Sequence, residues 1–214
     1  MARVLLLHGL GGAAATMAPL ADALAAYGHD VHAPTLPGHG SEPAALLTVG
    51  WADWLAAAEE WQCDLVVGQS MGGNLALALA ASGRCAAVVA INPPPPDPDA
   101  VDGLEWQQSR GVAWIDGPPL AAGEVGYTTL PIGALLEMAN GSLATDLSAV
   151  QVPVLLVTSA LDEVADPFSA DYLASLLLGP VRRLRLANSG HVATFGPDLA
   201  ELAEAIAEFA RAVA

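Results

Sequence analysis

The sequence predicts an α/β domain, a mostly parallel sheet of about six strands with helices on both faces. Three observations carry this. Apolar runs of strand length alternate with longer stretches of helical character along most of the chain. The runs are continuously apolar, as strands buried on both faces are, and do not alternate apolar with polar. Finally, 214 residues with 54% hydrophobic content suffice for one domain with a sizeable core.

In chain order the strand-like runs are Val4–Leu7, Asp30–Ala33, Leu65–Val67, Ala86–Ile91, Val154–Thr158 and Val181–Leu186. Helices are expected over Met17–Tyr27, Trp51–Trp61, Met71–Ser82, Phe168–Leu178 and Asp198–Val213. The last has the clearest stripe, because Leu199, Leu202, Ile206, Phe209 and Val213 step by three and four residues in turn. Gly28 and Gly83 follow two of these helices as C-terminal stops. Trp51 and Trp54 share one side of their helix, which suits packing against the sheet.

The rhythm breaks after Ile91. Residues 92–148 open with "NPPPPDPDAVDG", contain "DGPPLAAGEVG", and offer only short helical pieces such as Ile132–Ala139. The prolines and glycines are too dense for a core βα unit, and the four successive prolines favour a stiff extended connection. The expected organisation is therefore a core of residues 1–91 and 149–214, with 92–148 inserted over the top of the sheet.

The chemistry-bearing stretch is "VVGQSMGGNLALALA". Gly68-Gln69-Ser70-Met71-Gly72 fits G-x-S-x-G, with a strand before it and a helix after it. A serine on so sharp a turn needs small neighbours two positions away. Its hydroxyl then stands at the positive end of the following helix, above the carboxyl edge of the sheet. The competing reading is a loop serine beside turn glycines; the flanking elements favour a nucleophile.

A serine hydroxyl needs a base, itself oriented by an acid. His191, in "NSGHV", lies between the last strand and the last helix and is the expected base. His8 reads as a loop-bracing residue, and His29 and His32 as ordinary ones. The acid is expected near the end of the preceding strand, in "VLLVTSALDEVADP". This stretch offers Asp162, Glu163 and Asp166. Asp162 comes first in the turn and is favoured, and Asp166 is next; both Glu163 and Asp166 would have to reach back from the next connection. For the oxyanion hole, the N–H of Met71 follows the nucleophile, and Leu10 in the glycine-rich "HGLGG" supplies the second. "HGLGGA" lacks both G-x-G-x-x-G spacing and a Walker lysine, so a phosphate loop is disfavoured.

Composition excludes other classes. Seven basic residues, all arginine, face 23 acidic ones for a net charge of −16, which repels nucleic acid and anionic membranes. Every apolar run is broken well short of a membrane span, so no stable membrane insertion is expected. The opening "MARVLLLHG" stops too soon for a signal peptide and reads as a buried strand, which points to a cytoplasmic protein. Cys63 and Cys85 are too few for a disulfide scaffold and lack metal spacing; free thiols are expected.

"LLLHGLGG", "HAPTLPGHG", "GQSMGG", "SALDEVADP" and "NSGHV" stand in the order found in α/β-hydrolases, and the chain resembles the small bacterial carboxylesterases and monoacylglycerol lipases from about Val4 to Phe209. The resemblance implies the α/β-hydrolase fold, shortened at its amino-terminal strands. It also implies that Ser70 accepts the acyl group, that Asp162 and His191 complete a triad, and that Leu10 and Met71 form the oxyanion hole. Residues 92–148 would correspond to the family's small cap, where Trp106, Trp114 and Met138 are possible lining of an acyl channel. The expected function is hydrolysis of carboxylic esters with small to medium acyl chains, monoacylglycerols among them, without cofactor or metal and with a small-molecule ester as partner. Alternatives are a lyase or cofactor-free perhydrolase on the same site, or a non-catalytic binding module. The sequence does not specify the oligomeric state.

Overall fold

The computed structural model describes residues 1–117, 120, 123–166 and 169–213. Six parallel strands form the main sheet: β1 (Arg3–Leu7), β2 (Asp30–His32), β3 (Leu65–Gln69), β4 (Ala87–Ile91), β7 (Val154–Ser159) and β8 (Val181–Leu186). Their spatial order is β2-β1-β3-β4-β7-β8. The chain moves outward from β1 to β2 and then returns to add β3 on the other side of β1. That reversal opens a crevice at the carboxyl ends of β1 and β3, the position where open α/β sheets bind ligands.

Period-two alternation divides the strand residues between two cores. On one side Leu5, Leu7, Val66, Val88 and Leu156 pack with Trp54, Leu75 and Leu173. These come from α2 (Trp51–Glu59), α3 (Met71–Ala81) and α6 (Ser169–Leu176). On the other side Val4, Leu6, Val67, Val89 and Val157 meet Met17, Leu20, Ile206 and Phe209. The last four belong to α1 (Ala14–Ala26) and α7 (Leu199–Val213). Both faces of the central strands are covered, which explains why these are largely apolar. The edge strands depart from the expected apolar run, β2 reading Asp30-Val31-His32 and β8 carrying the exposed Arg182, Arg183 and Arg185.

Element ends differ from expectation by local causes. Helix α1 begins three residues before Met17, because the Thr16 hydroxyl accepts from the Ala13 N–H at 3.1 Å and closes its first turn. This leaves Pro19 inside the helix. The expected start of α6 at Phe168 lies outside the described residues, and α6 ends at Leu176.

Between β4 and β7 the chain is more ordered than its prolines suggest. It forms α4 (Pro98–Ser109), the antiparallel pair β5 (Trp114–Asp116) and β6 (Thr129–Pro131), and α5 (Ile132–Ala144). Helix α4 has good start signals that the proline density obscured. Asp97 caps it by accepting from the Asp99 N–H at 3.0 Å, and Pro98 occupies the first turn, where no N–H is needed. Helix α5 is tied to the core by the Glu137 carboxylate, which accepts from the Trp51 N–H at 3.1 Å at the start of α2. Trp54 is fully buried and its indole N–H donates to the Pro37 carbonyl, so it packs as expected. No helix among the described residues is long and apolar enough to cross a membrane.

Candidate active site

Ser70 joins β3 to α3 with φ 56° and ψ −120°, a conformation a non-glycine residue holds only when its surroundings impose it. Those surroundings are backbone. The Ser70 N–H donates to the Ile91 carbonyl at 2.8 Å, and its own carbonyl accepts from the Gly73 N–H at 2.8 Å. A Cβ on Gly68 would lie 1.9 Å from the Gly72 carbonyl oxygen, and one on Gly72 would lie 2.1 Å from that of Leu7. The strand and helix cross so closely that only glycine fits at either position.

The loop after β1 meets this turn. Gly9 approaches Ser70 so nearly that a Cβ there would sit 3.2 Å from the Ser70 Cβ. His8 braces the loop from beneath, as its sequence context suggested. Its Nε2 accepts from the Leu36 N–H at 3.0 Å, so its Nδ1 carries the proton and donates to the Gly9 carbonyl at 2.8 Å. Burial, reinforced by neighbouring His39, lowers the His8 pKa to about 3, although the bond to Gly9 pulls the other way. The ring therefore stays neutral, as its acceptor role requires. Leu10 follows on this loop and Met71 opens α3, whose first N–H groups have no partner within the helix.

Asp162 lies in the turn after β7 and His191 in the loop between β8 and α7. The structure brings them together: His191 Nδ1 is 2.9 and 3.0 Å from the two Asp162 carboxylate oxygens. Both side chains are buried, at 8% and 3% exposure. Burial pushes the Asp162 carboxyl up, but hydrogen bonds from His191 and from the N–H groups of Ala165 and Val164 outweigh it and hold the pKa below the usual range. With the Nδ1 proton directed at a carboxylate, His191 Nε2 is the basic nitrogen. Asp166, the alternative acid, is exposed, and it is Asp162 that meets the ring.

Ser70, His191, Gly9 and Leu10 line one cavity of about 150 Å³. Among the described residues no hydrogen bond joins the Ser70 hydroxyl to the His191 ring; such contacts tighten when substrate binds. The far wall is apolar and comes from the segment between β4 and β7: Leu120, Leu130, Leu135 and Met138. Met138 thus lines the cavity as expected, whereas Trp106 and Trp114 are 66% and 41% exposed and lie outside its wall. Tyr127 staples this wall to the core. Its N–H donates to the Gly11 carbonyl at 2.8 Å, and its hydroxyl donates to the Gly38 carbonyl at 3.1 Å while accepting from the Ser41 N–H at 3.0 Å.

Two contributors to the site escaped sequence reasoning, and a third, Glu163, entered it only as a candidate acid. Gln69 and Asn92 donate to the His191 carbonyl, and Glu163 accepts from the His191 N–H at 3.1 Å. Gln69 and Glu163 lie within motifs, but at positions these leave unspecified, and Asn92 belongs to none. The available signal was an asparagine at the mouth of a strand, "INPPPP", since asparagine tolerates the left-handed backbone that Asn92 adopts at φ 46°.

Comparison with known proteins agrees with this fold. The model of the alpha/beta hydrolase family matches residues 4–208. A thermostable monoacylglycerol lipase of Bacillus sp. (strain H-257) is 32% identical, over 96% of this chain and 89% of that protein. A solved structure from work on the metagenome-derived lipolytic enzymes LipS and LipT superposes with a TM-score of 0.87 at 30% identity, covering 98% of this chain and 93% of that one. The monoacylglycerol lipase of Paleococcus ferrophilus shares the fold, with a TM-score of 0.79 at 17% identity over 99% of this chain and 95% of that one.

Proposed function

The chain belongs to the alpha/beta hydrolase family, and on that premise we propose that it hydrolyses carboxylic esters through an acyl-enzyme intermediate. The observation that carries the reading is the buried His191–Asp162 pair opening onto the same cavity as the strained Ser70. Ser70 Oγ attacks the ester carbonyl carbon while His191 Nε2 takes its proton. Asp162 holds the imidazolium. The N–H groups of Leu10 and Met71 receive the oxyanion of the tetrahedral intermediate. As the C–O bond breaks, His191 returns the proton to the departing alcohol. Water then attacks the acyl-serine by the same route and releases the carboxylic acid.

Residues 92–148 act as a cap over the acyl cavity, a role supported by Leu120, Leu130, Leu135 and Met138 in its wall. A cavity near 150 Å³ suits small to medium acyl chains, and the likeness to a monoacylglycerol lipase extends the reading to monoacylglycerols. The −16 charge speaks against nucleic acid and anionic membranes as partners. Free thiols at Cys63 and Cys85 favour the cytoplasm.

The test is hydrolysis of p-nitrophenyl butyrate, with a serine-directed phosphonate mapped by mass spectrometry. Label on Ser70, and a loss of kcat of ~10⁴–10⁶-fold in Ser70→Ala, is the expected result. Label on Ser41 or Ser189, or undiminished hydrolysis by Ser70→Ala, would overturn the assignment.

A further inference from the structure

Two buried amide side chains beside the site end on one atom. Gln69 Nε2 and Asn92 Nδ2 each lie 2.7 Å from the backbone carbonyl oxygen of His191, which the Ala193 N–H also approaches at 3.1 Å. Gln69 is 1% and Asn92 3% exposed. The two stand on neighbouring rigid elements. Gln69 is the last residue of β3, immediately before Ser70, and pairs in register with Ile91, the last residue of β4; Asn92 is next in the chain. Asn92 reaches further: its Oδ1 accepts from the Ser159 N–H at 2.8 Å, and its Nδ2 is 2.9 Å from the Ser159 hydroxyl. Ser159 ends β7, the strand that leads to Asp162.

We propose that Gln69 and Asn92 are positioning residues for the base, a two-amide clamp that ties the His191 loop to the strand ends carrying Ser70 and Asp162. The proposal rests on the reading of His191 as base. Among the described residues no hydrogen bond joins the Ser70 hydroxyl to the His191 ring, so their separation is set by the Asp162 carboxylate that holds the ring and by the backbone of the His191 loop. That backbone is gripped by two donors on its carbonyl and by Glu163 on its N–H. Two features show that the donor ends matter. Gln69 leaves its Oε1 buried without a hydrogen-bond partner among the described residues, so the side chain is oriented by what its nitrogen does. Asn92 adopts φ 46°, a backbone that glycine would take at lower cost but without an amide.

The experiment uses the full chain with Gln69→Leu, which removes the donor at similar size, and Asn92→Gly, which keeps the backbone freedom and removes the amide. Gln69→His restores a ring N–H at similar reach. Kinetics with p-nitrophenyl butyrate, melting temperature and amide hydrogen exchange over residues 187–195 are measured for each. Displacement of a catalytic group by ~1 Å costs ~10²-fold. The expected result is a fall in kcat of that order in Gln69→Leu and in Asn92→Gly, with KM within about twofold, faster exchange across the loop, and recovery of both in Gln69→His. A folded Gln69→Leu with wild-type kcat, a loss seen in KM alone, or no recovery in Gln69→His overturns the clamp. Should Asn92→Gly not fold, the Gln69 pair decides. Failure of the esterase reading looks different: the wild type would neither hydrolyse the ester nor take the phosphonate, while loop exchange would still report on the clamp.

Discussion

Adding one methyl group at Gly72 tests how far the site depends on contact between backbones. A Cβ there would lie 2.1 Å from the Leu7 carbonyl oxygen, 2.6 Å from its carbon and 2.8 Å from the His8 oxygen. Ordinary contact begins near 3.4 Å, so the start of α3 must retreat from β1 by roughly 1.3 Å. The opposing atoms are main chain and cannot swing aside, which puts Gly72→Ala at the upper end of overpacking costs, ~3 kcal/mol. For a chain of this size that lowers Tm by ~6–12 °C. The same retreat separates Ser70 and Met71 from the Gly9–Leu10 loop, so kcat falls by ~10²-fold in the protein that remains folded. Gly133→Ala is the matched control: it lies in the first turn of α5, its Cβ would meet nothing within 4 Å, and alanine there changes stability by no more than ~0.5 kcal/mol. Calorimetry and ester hydrolysis on the two variants settle the matter. A Gly72→Ala protein melting within ~1 °C of wild type with undiminished kcat would refute the reasoning.

Asp162→Asn removes the carboxylate that orients His191 and lowers kcat by ~10⁴-fold, whereas Asp166→Asn is mild; reversed results in steady-state assays would move the acid to Asp166. The depressed pKa of His8, about 3, means that the folded chain binds fewer protons than the unfolded one below ~6.5. Its contribution is intact above that pH and fades as pH falls toward the folded value. Unfolding free energies at pH 7 and pH 5 therefore differ by ~2 kcal/mol more in wild type than in His8→Gln, and equal differences would contradict the buried neutral ring. The Asp162 carboxyl, held below its ordinary value, adds a loss of stability only at lower pH, below ~4. Burial pushes the Cys85 thiol up to about 12 and also raises that of the partly buried Cys63. A thiol reagent at pH 8 should accordingly modify Cys63 first and Cys85 only as the protein unfolds, with two equivalents reacting at the same rate counting against the structure.

Much of this architecture is written locally. The central strands of the main sheet are largely apolar runs, because residues such as Leu5 and Leu6 face opposite cores, whereas the edge strand β8 admits three exposed arginines. The strand–Ser70–helix turn is legible because Gly68 and Gly72 are the only residues its crossing admits. His191 and Asp162 are legible by position, each just beyond a strand. The segment after β4 is harder. Its prolines suggest an irregular connection, yet Pro98 sits where a helix start tolerates proline, so α4 forms.

The sequence by itself determined the order of the core strands and helices, the strained serine turn and the residues able to serve as nucleophile, base and acid, since each depends on neighbours within a few positions. Tertiary structure alone decided what holds them in register. Gln69 meets His191 across 122 positions, Asn92 across 99, and the Thr16 hydroxyl donates to the Val125 carbonyl across 109. No periodicity encodes such bonds. They exist because the parallel order β1-β3-β4-β7 sets the carboxyl ends of distant strands side by side, where a buried carbonyl must take whatever donor the neighbouring strand end presents.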